Sequence, residues 1–341
     1  MKRLCVLTSI LLMVCLVFQV SEAQNRKAGI NAAAFLKIGV GARQVGLGSA
    51  VTAVSGDVNN MYWNPAGIAL PKDQMLQASF TYNQWFADLT QQAAAVSYNL
   101  EEIGTIGVGF MMFGLSGIQA DRDIYPGGDP LLRALEIDKT TSSTYDYRDM
   151  VMQLSYARTI TDQLSLGFTV KYISEKIDDQ TASSIAFDFG SVYEIGVLDW
   201  KIGARLSNLG GDIKFYDFAA QIPLTFSIGT SLVPYKDDMN SVLLTVDGVK
   251  PQDGVQYYFV GGEYTFMNMV AVRGGYKFNY TGMDDGGNSF SPAINTTVEG
   301  FTAGAGFNVG LGDYGLRLDY AYTKMDLLDA VHRVTLSVDM K

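Results

Sequence analysis

The chain has 341 residues, 48% hydrophobic, 12% aromatic and only 18% charged, with 36 Gly, 2 Cys and 1 His. Its net charge of −10, with no cluster of Lys and Arg, argues against nucleic-acid binding, which needs grouped cations to neutralise phosphates. One histidine leaves the commonest general base and metal ligand almost absent, so neither catalysis nor a cofactor is expected.

Residues 1–23 read as a signal peptide. Lys2 and Arg3 form a basic start, Leu4 to Val20 an uncharged apolar run, and Ser21-Glu22-Ala23 a small-residue cleavage site before Gln24. Both Cys5 and Cys15 fall in this segment, so the mature chain is predicted to form no disulfide. No later apolar run reaches the roughly 18 residues of a membrane helix.

Residues 24–73 are rich in Ala and Gly and show no strand alternation. Asp57 to Trp63 reads as about two helical turns capped by Asp57. Asn64-Pro65-Ala66-Gly67 reads as their stop, because Pro disfavours a helical residue before it. A segment this short cannot bury a core of its own, and it is predicted to lie inside a barrel as a plug.

From residue 74 to the end, apolar and polar residues alternate with period two, the mark of strands with one apolar face. Fourteen such segments are predicted: 74–86, 89–99, 102–114, 150–160, 162–176, 183–195, 199–207, 222–233, 240–249, 254–266, 269–281, 298–309, 314–324 and 330–340. An even number of strands of roughly ten residues fits an antiparallel outer-membrane β-barrel, which closes so that no backbone amide is stranded in hydrocarbon. The connections sort by parity, as they do in such barrels. Those at one end are short, while 115–149, 208–221 and 282–297 all fall at the other, which is therefore assigned to the cell exterior. The apolar set would then face outer-membrane lipid, with lipopolysaccharide on the outer side.

The polar set would face the lumen. It includes Lys171, Asp188, Glu194, Lys201, Arg205, Arg273, Lys277, Arg317 and Asp319. Mixed signs favour a network that braces wall and plug, with a conduction or ligand path as the alternative. In the 115–149 connection, Asp129 and Pro130 open a short stretch whose Leu131, Leu132, Leu135 and Ile137 need an apolar partner. The barrel mouth or a second protein would serve. The six longer outer connections carry 16 acidic and 6 basic residues, so most of the net charge is expected to face outward. Asp284-Asp285-Gly286-Gly287-Asn288 lacks the ligand spacing of a calcium loop and reads as a solvated turn. His332 shares a face with Val334 and Leu336, away from Ser337, so it reads as a packing residue rather than a base.

Three stretches carry a family resemblance: Ile38-Gly39-Val40-Gly41-Ala42-Arg43, Gly46-Leu47-Gly48-Ser49-Ala50, and Asp57 with Tyr62-Trp63-Asn64-Pro65-Ala66-Gly67. They resemble the start of the PorV/PorQ family, among the FadL-like fourteen-strand barrels. The resemblance implies a hatch built on Arg43, Asp57, Asn64, Pro65, Ala66 and Gly67, in an outer-membrane protein of Bacteroidetes type. It also implies a non-enzymatic part of the type IX secretion system, without cofactors. The implied partners are a translocon, cargo C-terminal domains and a sortase, or an anchored surface protein. FadL-like relatives imply a second expectation, a channel for a hydrophobic molecule. Met340-Lys341 stands where such barrels usually end in an aromatic residue.

Overall fold

The computed structural model describes residues 31–71, 74–119, 144–279, 299–325 and 328–341. Fourteen antiparallel strands close into one barrel. Seven of them are β1 (Leu76–Gln84), β2 (Thr90–Asn99), β3 (Thr105–Gln119), β4 (Thr144–Thr161), β5 (Leu164–Ile177), β6 (Gln180–Glu194) and β7 (Lys201–Gly210). A small hairpin follows, β8 (Ile213–Phe215) and β9 (Phe218–Ala220), outside the barrel sheet. The circuit continues with β10 (Thr225–Lys236), β11 (Asn240–Pro251), β12 (Tyr257–Phe266), β13 (Val270–Phe278), β14 (Glu299–Leu311), β15 (Tyr314–Met325) and β16 (Val331–Met340).

Each predicted strand overlaps an observed one, because a two-residue period admits only one way to keep apolar side chains on the lipid face. Phe80, Val96, Leu154, Ile185, Val272 and Leu318 project outward from it. Tyr98, Tyr193, Tyr264 and Tyr314 sit on the same outer face near the short-turn end, where amphipathic rings mark the lipid–water boundary. Closure joins β1 to β16 in register from Leu76 opposite Met340 to Gln84 opposite His332, so Met340 belongs to the last rung. His332 lies on the outer face and meets the Tyr320 hydroxyl at 2.7 Å.

Two predicted connections contain more structure than expected. Leu115–Gln119 and Thr144–Asp149 are strand, not loop, because pairing between β3 and β4 resumes beyond an irregularity between Leu115 and Ile118. The 208–221 connection begins as strand and then forms the β8–β9 hairpin, anchored by Ile213 among Ala182, Ala186 and Ile222. Asp129, Pro130, Leu131, Leu132, Leu135 and Ile137 lie outside the described residues, as do Asp284–Asn288 and residues 1–23.

Residues 31–70 pack against the inward faces of the strands in four short helical turns. The segment enters at the long-connection end, where Ala32 N–H donates to the Gln221 carbonyl and Ala33 N–H to Glu175. It leaves at the short-turn end, where Leu70 N–H donates to Thr105 Oγ1 at the start of β3. Asp57 caps the turn Val58–Tyr62 by accepting from Asn59 N–H, as its residue type predicts. Asn64 was expected to end that turn, but it also caps the next one, Pro65–Ile68. Pro at the first position of a turn costs no hydrogen bond there.

Candidate functional site

Short inward side chains on the strands let the inner segment come close. Gly48 adopts φ +66°, and a Cβ there would stand 2.5 Å from the Val260 carbonyl oxygen; a Cβ on Gly275 opposite would collide with the Gly48 backbone. Gly167, Gly190 and Gly203 leave the same kind of room for Pro65–Ala66, Asn64 and Thr52. Asn64 uses that room: its Nδ2 donates to the Thr52 carbonyl at 2.6 Å and to the Ser191 carbonyl at 3.1 Å, tying segment to wall.

The central feature is a closed ring of alternating charges. Arg43 holds Glu263 through two bonds of 3.0 and 2.8 Å, and Glu263 accepts from Arg273 at 2.5 Å. Arg273 then reaches Asp319 at 2.7 Å, and Asp319 lies 2.9 Å from Arg317. Arg317 donates to Asp57 at 2.5 Å, and Asp57 closes the circuit 3.8 Å from Arg43. Three guanidiniums and three carboxylates cancel, which suits a site where Asp57, Glu263, Arg273 and Asp319 are buried. Burial pushes the Asp57 carboxyl up, but Arg317, Arg43 and the Asn59 N–H outweigh it and hold the group below its ordinary value. Glu263 keeps Arg43 firmly charged against its burial.

The nine inward charges read from the sequence do not form one network. Arg273, Arg317 and Asp319 join the ring. Lys171 pairs separately with Asp188 at 2.5 Å and donates to Asn208. Lys201 pairs with Glu194 at 2.6 Å at the short-turn end and donates to Ser55. Lys277 pairs with Glu299. Arg205 has no carboxylate partner among the described residues; its Nη1 donates to the Trp63 carbonyl and its guanidinium lies 5.5 Å from the Trp63 ring centre.

Sequence reading missed Glu263, although its alternation with Gly261 and Phe259 marked it as inward. It also missed Asp247, which accepts from Thr52 N–H, and Tyr62, whose hydroxyl donates to the Ala94 and Phe110 carbonyls. Toward the long-connection end, a cavity of about 90 Å³ remains between the inner segment and β3–β5, β7 and β10–β13. Its lining mixes Ile38, Val40, Val151 and Val249 with polar and cationic groups.

A closed barrel with an apolar outer band and an inner segment bound to its wall defines an outer-membrane protein of FadL-like architecture. Its solved likenesses include the CymD monoaromatic hydrocarbon channel (12% identity, TM-score 0.55, covering 89% of this chain and 98% of that one). The toluene transporter TbuX of Ralstonia pickettii is similar at 13% identity and TM-score 0.55, over 89% and 98%. A Pseudomonas aeruginosa FadL homologue matches at 11% identity and TM-score 0.51, over 93% and 98%. At such identities the likeness is one of fold. No curated protein sequence matches significantly. The family described as type IX secretion system protein PorV matches residues 21–251, and the chain belongs to that family.

Proposed function

We propose that this protein is a non-enzymatic docking component of the type IX secretion machinery, in which residues 24–73 act as a fixed plug and the outer connections receive a protein partner. The observation that carries the reading is the binding of residues 31–70 to the wall. Among the described residues the segment bonds to or packs against every barrel strand, from Ser79 on β1 to Thr335 on β16. A segment held through buried ion pairs is costly to displace, so the barrel serves better as a platform than as a conduit. The proposed partners are the translocon, cargo C-terminal domains or a sortase, met through connections 115–149, 208–221 and 282–297. The plug motif and lumenal charges have a structural role in this reading, and the Asp129–Ile137 stretch a recognition role.

A second reading, a channel for a hydrophobic molecule, is favoured by the likeness to hydrocarbon channels and by the apolar part of the cavity lining. Purification from the native outer membrane, with mass spectrometry of proteins and lipids, separates the two. Docking predicts stoichiometric translocon, sortase or cargo C-terminal domains. Recovery of hydrophobic small molecules alone would overturn it.

A further inference from the structure

The cavity near the long-connection end holds hydrogen-bonding groups that no described residue satisfies. Arg205 is 8% exposed, and its Nε has no partner among the described residues. Ser207, two residues on and on the same face of β7, has an unpartnered Oγ, and both polar ends of the Gln153 side chain are likewise unpartnered. All three side chains line the cavity, as do the Trp63 ring, Val249 and Tyr257. Water can satisfy a hydroxyl or an amide, but it brings no counter-charge to a buried guanidinium. The other cations at this cavity have one: Lys37 holds Asp253, Lys171 holds Asp188 and Lys277 holds Glu299. Asp188 and Asp247 act on Arg205 only from a distance, since neither makes an ion pair with it. The guanidinium is already oriented by its bond to the Trp63 carbonyl and by the ring beneath it. Arg205 and Ser207 lie about 7 Å apart, Cα to Cα, on one face of β7, so the guanidinium Nε–H and the hydroxyl can both donate to one carboxylate anion. The apolar walls suit a short hydrocarbon or single-ring body.

We propose that this cavity binds a small carboxylate anion, its head on Arg205 and Ser207 and its body against Trp63 and Val249. The site is independent of whether the barrel docks proteins or conducts. Trp63 is the only tryptophan lining the cavity, so the full-length barrel carrying Trp85→Phe and Trp200→Phe reports on it by fluorescence. Sodium benzoate and sodium acetate are the probes, at ionic strength fixed with sodium chloride, and benzyl alcohol is the uncharged control. The expected result is a saturable change with a carboxylate and none with the alcohol. Affinity should fall about ten-fold or more in Arg205→Gln and several-fold in Ser207→Ala, the loss of charge-assisted hydrogen bonds. If Arg205→Gln does not assemble into a heat-modifiable barrel, Ser207→Ala decides the matter. No saturable response to either carboxylate overturns the proposal, as does undiminished affinity in the assembled variants. Equal binding of benzyl alcohol also overturns it, since the site would then be a plain apolar pocket.

Discussion

Asp57 has two duties in one side chain. One oxygen caps a helical turn by accepting from Asn59 N–H at 2.9 Å, and the other takes Arg317 at 2.5 Å. Asp57→Asn keeps an oxygen for the cap and removes only the charge, leaving Arg317 and Arg43 facing two carboxylates instead of three. Breaking a buried ion pair by removing one partner costs about 3–5 kcal/mol, and the variant should lose stability on that scale. The loss should depend on pH. The folded carboxyl is held below its ordinary value of about 4, so the unfolded chain takes up the proton first. The stability that Asp57 contributes is therefore complete above that value and drains away as pH falls through the folded one. Unfolding measured in detergent from pH 7 to pH 3 should show a wild-type advantage over Asp57→Asn that is flat down to about pH 5 and shrinks below pH 4. An advantage that persists undiminished at pH 3 would show that the charge of Asp57 does not carry it.

At the scale of elements, the inner segment and the wall depend on each other. Removing residues 31–70 would strip Glu263 of Arg43 and Arg317 of Asp57, and expose a lumen ringed by polar side chains. Emptied barrels of this size class conduct ions, so the deletion should convert a silent barrel into one with steady conductance in planar bilayers. Unchanged conductance in a correctly assembled deletion would mean that the segment does not block the path. The strands were legible because their period is local: Leu316, Leu318 and Tyr320 declare a lipid face without reference to any other strand. Partnership was not legible. Arg43 and Glu263 lie 220 residues apart, and only the register of the closed sheet brings them together. The β8–β9 hairpin escaped for a different reason, since strands of three residues are too short for alternation to show. Asn64-Pro65-Ala66-Gly67 was legible as a turn, but its bonds to Thr52 and Ser191 required the glycines of the facing wall.

For the whole molecule, the decisive quantity is where its excess negative charge resides. The central ring is neutral, and Lys171, Lys201 and Lys277 each hold a carboxylate, so the interior consumes acids and bases in nearly equal number. Exposed acids at the long-connection end include Asp88, Asp146, Asp179, Asp212 and Asp217, and with the acidic balance of the connections there in the sequence an acidic rim is expected at that end. Such a rim repels acidic proteins and speeds the approach of basic ones, an effect that acts mainly on the association rate and is screened beyond about 8–10 Å at physiological salt. A docking partner delivered to this rim should therefore present a basic face. Its association rate should fall about ten-fold or more between 50 and 300 mM salt, while its dissociation rate changes little. Charge-reversing Asp212→Lys and Asp217→Lys together should slow association at low salt and flatten the salt dependence, leaving the barrel intact because both side chains are exposed. A partner whose association ignores salt, or one accelerated by these reversals, would place recognition on the apolar groups of the outer connections instead, with the acidic rim serving only solubility beside lipopolysaccharide.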